Sequence, residues 1–206
     1  MARIYFSMSG EGRGHATRVR ALADRLRGKH EIGIFAPGDA YDLPAPAFAN
    51  SDIRVRRIPC LQFHYSRDHR LDTWRTAVHG ARYLWRLPRL LRKLERTLRR
   101  EKPDLVITDF EPALPRAAKR CGIPFLSVNH QHFLIVNDLS ALPASLRRHA
   151  FMMSLVVRAY YSGMARTVVS SFYFPPLKPK YKDTTVQVRM ILRSAVINAP
   201  RERGKH

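Results

Sequence analysis

A glycine-rich turn between the first predicted strand and the first predicted helix constrains this chain more than any other feature. Residues 3–8 (RIYFSM) predict a buried strand, and residues 9–14 (SGEGRG) follow with three glycines. His15 then opens a segment whose apolar residues repeat at the spacing of one helix face, namely Val19, Leu22, Ala23 and Leu26. Glycine allows a tight turn and close approach to a ligand, and a helix start offers unpaired N–H groups. The sequence therefore predicts a ligand-facing turn with a histidine at its mouth.

The turn departs from the dinucleotide-binding pattern, in which Gly-x-Gly-x-x-Gly follows the first strand. Residues 10–15 have the order Gly-x-Gly-x-Gly-His, so the third glycine is misplaced. The second predicted strand, 31–36, ends in Pro-Gly, and Asp39 comes late for contact with a ribose. The pattern disfavours NAD binding. A turn that only closes the strand–helix unit explains the glycines, but it does not explain the histidine.

The net charge of the 206-residue chain is strongly positive. The 37 Lys and Arg residues outnumber the 16 Asp and Glu residues, which gives a formal charge of +21. Such a field favours anionic partners such as nucleic acid, anionic lipid or phosphorylated substrates, although a compositional bias toward arginine also explains it. No recognisable nucleic-acid-binding module is present, so a nucleic-acid partner is disfavoured.

The cysteines and the lack of long apolar segments indicate the cellular compartment of the protein. Cys60 and Cys121 are far apart and have no metal-ligand spacing, which favours reduced thiols. No segment predicts a signal peptide or a membrane span. We therefore expect a cytoplasmic protein, with a peripheral position at the inner face of the membrane as a further possibility. No metal site is expected, because the loop histidines lack a third ligand at suitable spacing.

Strands and helices alternate along the chain. Strands are predicted at 3–8, 31–36, 53–58, 104–108, 125–128 and 167–172. Helices are predicted at 15–28, 71–100 (broken or kinked at Pro88), 111–121 and 142–164, and loops at 37–51, 59–70 and 129–139. This alternation predicts an α/β fold with a doubly wound, Rossmann-like parallel sheet of order 3-2-1-4-5, whose third strand lies at an edge. We expect one domain at 1–174, followed by a linker at 175–206.

In that strand order, the first and fourth strands are neighbours, and their outgoing connections diverge to leave a crevice. His15 follows the first strand and Asp109 follows the fourth, so we expect the two side chains to meet there. A carboxylate on one imidazole nitrogen fixes the tautomer and leaves the other nitrogen to act as a base. The alternative is that Asp109 only caps the next helix and His15 only lines the turn.

Three segments together resemble the N-terminal half of glycosyltransferases of the GT-B type. They are 9–15 (SGEGRGH), 102–111 (KPDLVITDFE) and 122–131 (GIPFLSVNHQ). The most similar group contains the bacterial transferase that adds N-acetylglucosamine to lipid-linked peptidoglycan precursors. The likeness covers most of residues 1–175 in order.

The resemblance implies an inverting, metal-independent transfer from a nucleotide sugar, with UDP-N-acetylhexosamine as one candidate donor and a lipid-linked or other anionic acceptor. No cofactor is implied beyond the nucleotide sugar as co-substrate. His15 matches the loop histidine, which deprotonates the acceptor in many members and serves in binding in others. Asp109 matches its partner carboxylate in the plant-type and antibiotic-type members. The expected substrate contacts are Gly10, Glu11, Gly12, Arg13, Gly14, Glu111, Asn129, His130 and Gln131.

The chain lacks the family's second, nucleotide-binding domain, so we expect a fragment or one subunit of a split enzyme, inactive alone. Two alternatives remain: a non-catalytic subunit that recruits its partner to the membrane, and a phosphate- or nucleic-acid-binding module of the same fold. The stretches 79–100 and 151–161 are compatible with ordinary helices and also with contact to an anionic membrane surface.

Overall fold

A computed structural model describes residues 1–10, 12–61 and 72–200. Seven parallel strands form a single sheet in the order β3-β2-β1-β4-β5-β6-β7. The strands are β1 (Arg3–Met8), β2 (Glu31–Pro37), β3 (Arg54–Ile58), β4 (Leu105–Asp109), β5 (Phe125–Asn129), β6 (Arg166–Ser170) and β7 (Thr185–Val188). The predicted fold class, the order 3-2-1-4-5 and the edge position of the third strand are confirmed.

Helices cover both faces of the sheet. They are α1 (Arg13–Leu26), α2 (Pro44–Ala47), α3 (Thr73–Glu101), α4 (Ala113–Arg120), α5 (Phe133–Val136), α6 (Ala144–Tyr160) and α7 (Ser194–Ile197), with 3-10 turns at Gly38–Asp42 and Pro179–Tyr181. Alternation along β1 separates two cores. Ile4, Phe6 and Met8 pack in the cluster that contains α1, whereas Tyr5 packs in the cluster that contains α3 and α4.

Helix α3 passes through Pro88 without interruption, so a break at this residue is wrong, whereas a kink, the other predicted outcome, stays a prediction. A proline inside a helix removes one backbone hydrogen bond, to the carbonyl four residues earlier. Here Pro88 and Leu84 are both exposed, so water can satisfy the carbonyl of Leu84. The buried leucines that follow, among them Leu94 and Leu98, stabilise the helix through packing.

Three further segments differ from the predictions. The predicted loops 37–51 and 129–139 contain the short helices α2 and α5, and α1 begins at Arg13, before His15. Strand β7, which lies within the predicted linker 175–206, hydrogen-bonds to β6 and extends the sheet, and the domain boundary at residue 174 stays a prediction. Most of the loop predicted at 59–70 and the end of the predicted linker (201–206) lie outside the described residues.

Candidate active site

The candidate site lies at the carboxyl end of the sheet, where the connections that follow β1 and β4 diverge. Met8 and Asp109, the last residues of these strands, are partners in the register. The N–H of Ser9 donates to the carbonyl of Asp109 over 2.8 Å, which joins the start of the glycine turn to the end of β4. This is the crevice in which doubly wound sheets bind their ligands.

His15 and Asp109 meet in this crevice as predicted. The Nδ1 atom of His15 lies 2.8 Å from Oδ1 of Asp109, and the side chains are 11% and 2% exposed. Since a carboxylate only accepts hydrogen bonds, we assign the proton of a neutral imidazole to Nδ1. The lone pair of Nε2 is then available on the other side of the ring, as a general base requires.

Arg18 completes this pair, and the sequence analysis did not select it. Its Nε lies 2.7 Å from Oδ2 of Asp109, and its Nη2 lies 3.2 Å from Oδ1. The side chain is buried, so the guanidinium balances a carboxylate that water hardly reaches. Arg18 lies three residues after His15 on α1, and residues at this spacing lie on the same side of a helix. This spacing is the one feature of the sequence that indicates a place for Arg18 beside His15.

Aromatic and polar side chains surround the ring of His15. The rings of Phe110 and His130 each lie 6.4 Å from it, centroid to centroid, at interplanar angles of 15° and 20°. The side-chain amide nitrogen of Gln131 is 3.3 Å from Nε2. Burial lowers the pKa of His130, and the nearby charges of Arg18 and His15 lower it further. The predicted residues His130 and Gln131 therefore lie beside His15.

The backbone of Phe110 turns in the left-handed region, with φ of 58°. Residues other than glycine rarely adopt this conformation, which costs about 1–2 kcal/mol. The ring of Phe110 stacks on that of Tyr160 with centroids 4.1 Å apart and an interplanar angle of 9°. This packing helps to hold the strained turn that follows Asp109.

The glycine turn leaves the amino end of α1 accessible. Gly12 has φ of 68°, and no side chain in the described part of the chain caps the helix there. Arg13 and Gly14 form its exposed first turn. Gly10 is closely packed, since a Cβ atom at this position would lie 2.7 Å from Sγ of Cys60. Glu11 lies outside the described residues. Unpaired N–H groups at a helix start form an anion-binding site.

Glu111 follows Asp109 by two residues, and its carboxylate binds the backbone at the start of α4. Its two carboxylate oxygens accept the N–H groups of Ala113 (2.7 Å) and Leu114 (2.8 Å) at the start of α4. The side chain is buried, and burial raises the pKa of Glu111. The two backbone hydrogen bonds lower this pKa, but the effect of burial is larger. In this arrangement Glu111 stabilises a helix start, and its predicted substrate contact stays a prediction.

Asn129 lies beneath the surface in a buried polar network. Its amide nitrogen donates to Ser127 (2.8 Å) and Tyr161 (3.0 Å), and its Oδ1 accepts the N–H of His132 (2.9 Å). Burial raises the pKa of Tyr161 and lowers that of His132 to about 4, so His132 is neutral. Gln131 and His130 therefore lie beside His15, whereas Asn129 is buried and holds the segment that follows β5 through its hydrogen bond to His132.

The described residues contain neither a metal-binding cluster nor a membrane-spanning helix. No three His, Cys, Asp or Glu side chains within 1–10, 12–61 and 72–200 are grouped so as to hold a metal ion. None of the helices in these ranges combines the length and apolar character of a membrane span.

Comparison with known proteins relates the chain to a family. A family model described as "Glycosyl transferase family 1" matches residues 2–206. A comparison with curated proteins found no match.

Solved structures share the fold at low sequence identity. Phytolacca americana UGT2, complexed with UDP-2fluoro-glucose and pterostilbene, is 16% identical with a TM-score of 0.59, and the match covers 95% of this chain and 56% of that one. Arabidopsis thaliana UGT89C1, complexed with quercetin, is 15% identical with a TM-score of 0.56, covering 93% and 51%. Acinetobacter baumannii MurG is 15% identical with a TM-score of 0.50, covering 85% and 43%. The chain thus spans about half the length of these structures.

Proposed function

Because the chain belongs to glycosyl transferase family 1, we propose that it forms the acceptor-binding half of an inverting glycosyltransferase that uses a nucleotide sugar. The observation that carries the proposal is the 2.8 Å contact between Nδ1 of His15 and Oδ1 of Asp109 in the crevice of the sheet. The similar structures are about twice as long as this chain, and we assign nucleotide binding to a second half, so the proposal concerns the assembled enzyme.

In the proposed reaction, Nε2 of His15 removes the proton from an acceptor hydroxyl. The hydroxyl oxygen forms a bond to the anomeric carbon of the sugar as the bond from that carbon to the diphosphate breaks. The nucleoside diphosphate leaves with the electron pair, and a single displacement inverts the configuration. Asp109 stabilises the imidazolium that forms, and this general-base step contributes about 10²–10⁴-fold to the rate.

The amide of Gln131 indicates where the acceptor hydroxyl would bind. Its nitrogen lies 3.3 Å from Nε2, so an incoming hydroxyl would take this place as Gln131 moves aside. Arg18 holds both oxygens of Asp109 and thereby orients the carboxylate toward Nδ1. The amide groups at the start of α1 are suited to a phosphate oxygen of the donor or acceptor. No metal ion takes part in this scheme.

The test compares variants in the assembled enzyme, with the donor-binding half present. Transfer of labelled sugar from a panel of nucleotide sugars is measured for the wild type and for His15→Ala. We expect His15→Ala to lower kcat by about 10²–10⁴-fold. The matched control is His149→Ala, an exposed histidine on α6, which should leave kcat unchanged. Near-normal turnover of His15→Ala would remove this residue from the role of base.

A further inference from the structure

A groove that the proposed reaction does not use lies between the edge strand β3 and helix α3. Its volume is about 490 Å³, within the range of about 300–1,000 Å³ typical of small-molecule sites. It is lined by Phe35, Arg56, Arg57, Ile58, Pro59, Tyr83, Arg86, Leu87, Arg89, Leu90, Lys93, Leu94 and Thr97.

The floor of the groove is a continuous apolar stripe. Helix α3 contributes Tyr83, Leu87, Leu90 and Leu94, whose spacing of four, three and four residues places them on one side of the helix. Phe35 and the end of β3 contribute the opposite wall. From Tyr83 to Thr97 the helix rises about 21 Å at 1.5 Å per residue, so the groove is long enough for an extended aliphatic chain.

The rim of the groove is cationic, and no acidic side chain is found among its described lining residues. On the strand side, Arg56 pairs with Glu101 and Arg57 pairs with Asp42, so these charges are balanced.

On the helix side, the rim charges are not balanced by salt bridges. Arg86, Arg89 and Lys93 are exposed and spaced by three and four residues, so they form one row above the apolar stripe. Within the described ranges no salt bridge involves any of the three. A ligand for this groove therefore needs an aliphatic part and an anionic group.

One end of the groove lies close to the glycine turn. Pro59 lines the groove, and the next residue, Cys60, packs against Gly10. We propose that this groove binds an anionic amphiphile, with its aliphatic chain along the apolar stripe of α3 and its phosphate at Arg86, Arg89 and Lys93. This proposal does not depend on sugar transfer, and binding can be measured with this chain alone because all the residues of the groove belong to it.

Calorimetric titration with decyl phosphate and octyl phosphate, both below their micellar concentrations and at 0.15 M salt, tests the proposal. Each methylene that leaves water contributes to binding, so decyl phosphate should bind about tenfold more tightly than octyl phosphate. Decyl maltoside, which has the chain without the charge, and inorganic phosphate, which has the charge without the chain, should each bind at least tenfold more weakly than decyl phosphate. Equal affinity for the two alkyl phosphates would overturn the proposal.

Matched variants locate the binding site. The triple variant Arg86→Glu, Arg89→Glu, Lys93→Glu should lose at least tenfold in affinity for decyl phosphate. The control Arg92→Glu, Arg96→Glu, Arg99→Glu makes the same charge change at exposed positions of α3 that form a different row and do not line this groove, and it should lose less than threefold. Equal losses would show that net charge alone attracts the ligand, and would refute the site.

A second pair of variants tests the apolar floor. Leu87→Asp places a charge on the stripe and should weaken decyl phosphate binding by at least tenfold. Leu84→Asp places the same charge at a residue that is 62% exposed and outside the groove, and it should have little effect. Thermal unfolding of each variant checks that the fold is retained. Unchanged binding by a folded Leu87→Asp would contradict the proposed position of the chain.

Discussion

The buried ion pair between Arg18 and Asp109 makes a strong prediction for stability. Replacing Arg18 with Met removes two charge-assisted hydrogen bonds, of 2.7 and 3.2 Å, and leaves Asp109 with His15 as its remaining side-chain partner in the described structure. Hydrogen bonds to charged groups contribute about 1.5–3 kcal/mol each. Breaking a buried ion pair on one side costs about 3–5 kcal/mol, so both estimates agree. We expect Arg18→Met to lower the free energy of unfolding by this amount.

Urea unfolding measures this loss. With a slope of about 2–3 kcal/mol/M, the midpoint should fall by about 1–2.5 M. The double variant Arg18→Met, Asp109→Leu removes both charges and should be more stable than Arg18→Met alone, because no buried carboxylate is left unpaired. A loss below 1 kcal/mol for Arg18→Met would refute the reasoning. So would a double variant whose loss in stability equals the sum of the losses of Arg18→Met and Asp109→Leu measured separately.

The remaining predictions concern packing and acid stability. Gly10→Ala should cost about 1–3 kcal/mol because its Cβ would lie 2.7 Å from Sγ of Cys60, whereas Gly14→Ala, with nothing within 4 Å, should cost nothing in the same urea assay. Burial opposes the ionisation of Glu101, but hydrogen bonds from Arg56 and Tyr5 outweigh it and lower the pKa of Glu101 from 4.5 to about 2. The stability contributed by this carboxylate is therefore complete above pH 4.5 and is lost as the pH falls toward 2. Glu101→Gln should flatten the dependence of Tm on pH in that window, and an unchanged slope would contradict the assignment.

The sequence was sufficient to predict that His15 and Asp109 meet. Alternating strands and helices allow few sheet orders, and the order 3-2-1-4-5 brings the ends of β1 and β4 together. The contact between His15 and Asp109 follows from this topology, from the place of Asp109 at the end of β4 and from the place of His15 in the first turn of α1. Their catalytic roles remain a prediction.

The sequence was not sufficient to predict the directions of the side chains around the site. Glu111 follows β4 and Asn129 ends β5, yet Glu111 caps α4 and Asn129 lies in a buried network. The backbone turn at Phe110 decides where the side chain of Glu111 points, and no pattern of residue types encodes that turn. Arg18 was overlooked because an arginine within an amphipathic helix is usually exposed.

Weak local signals explain the missed elements. Strand β7 has only four residues (TVQV) and follows a segment with three prolines, so its alternation is too short to stand out. It forms because the ladder with β6 satisfies its backbone groups. Helix α2 begins at Pro44, and proline at the first position of a helix is favourable although it suggests a loop in the sequence.

The central claim is that Nε2 of His15 removes a proton from the acceptor. The most direct measurement is the ratio of kcat between the wild type and His15→Ala in the assembled enzyme, with two acceptors of different acidity. An alkyl alcohol needs a base, whereas an acidic phenol such as a nitrophenol is already ionised near neutral pH. We expect a ratio of about 10²–10⁴ with the alcohol and a ratio near one with the phenol. The same large ratio with both acceptors would contradict the account.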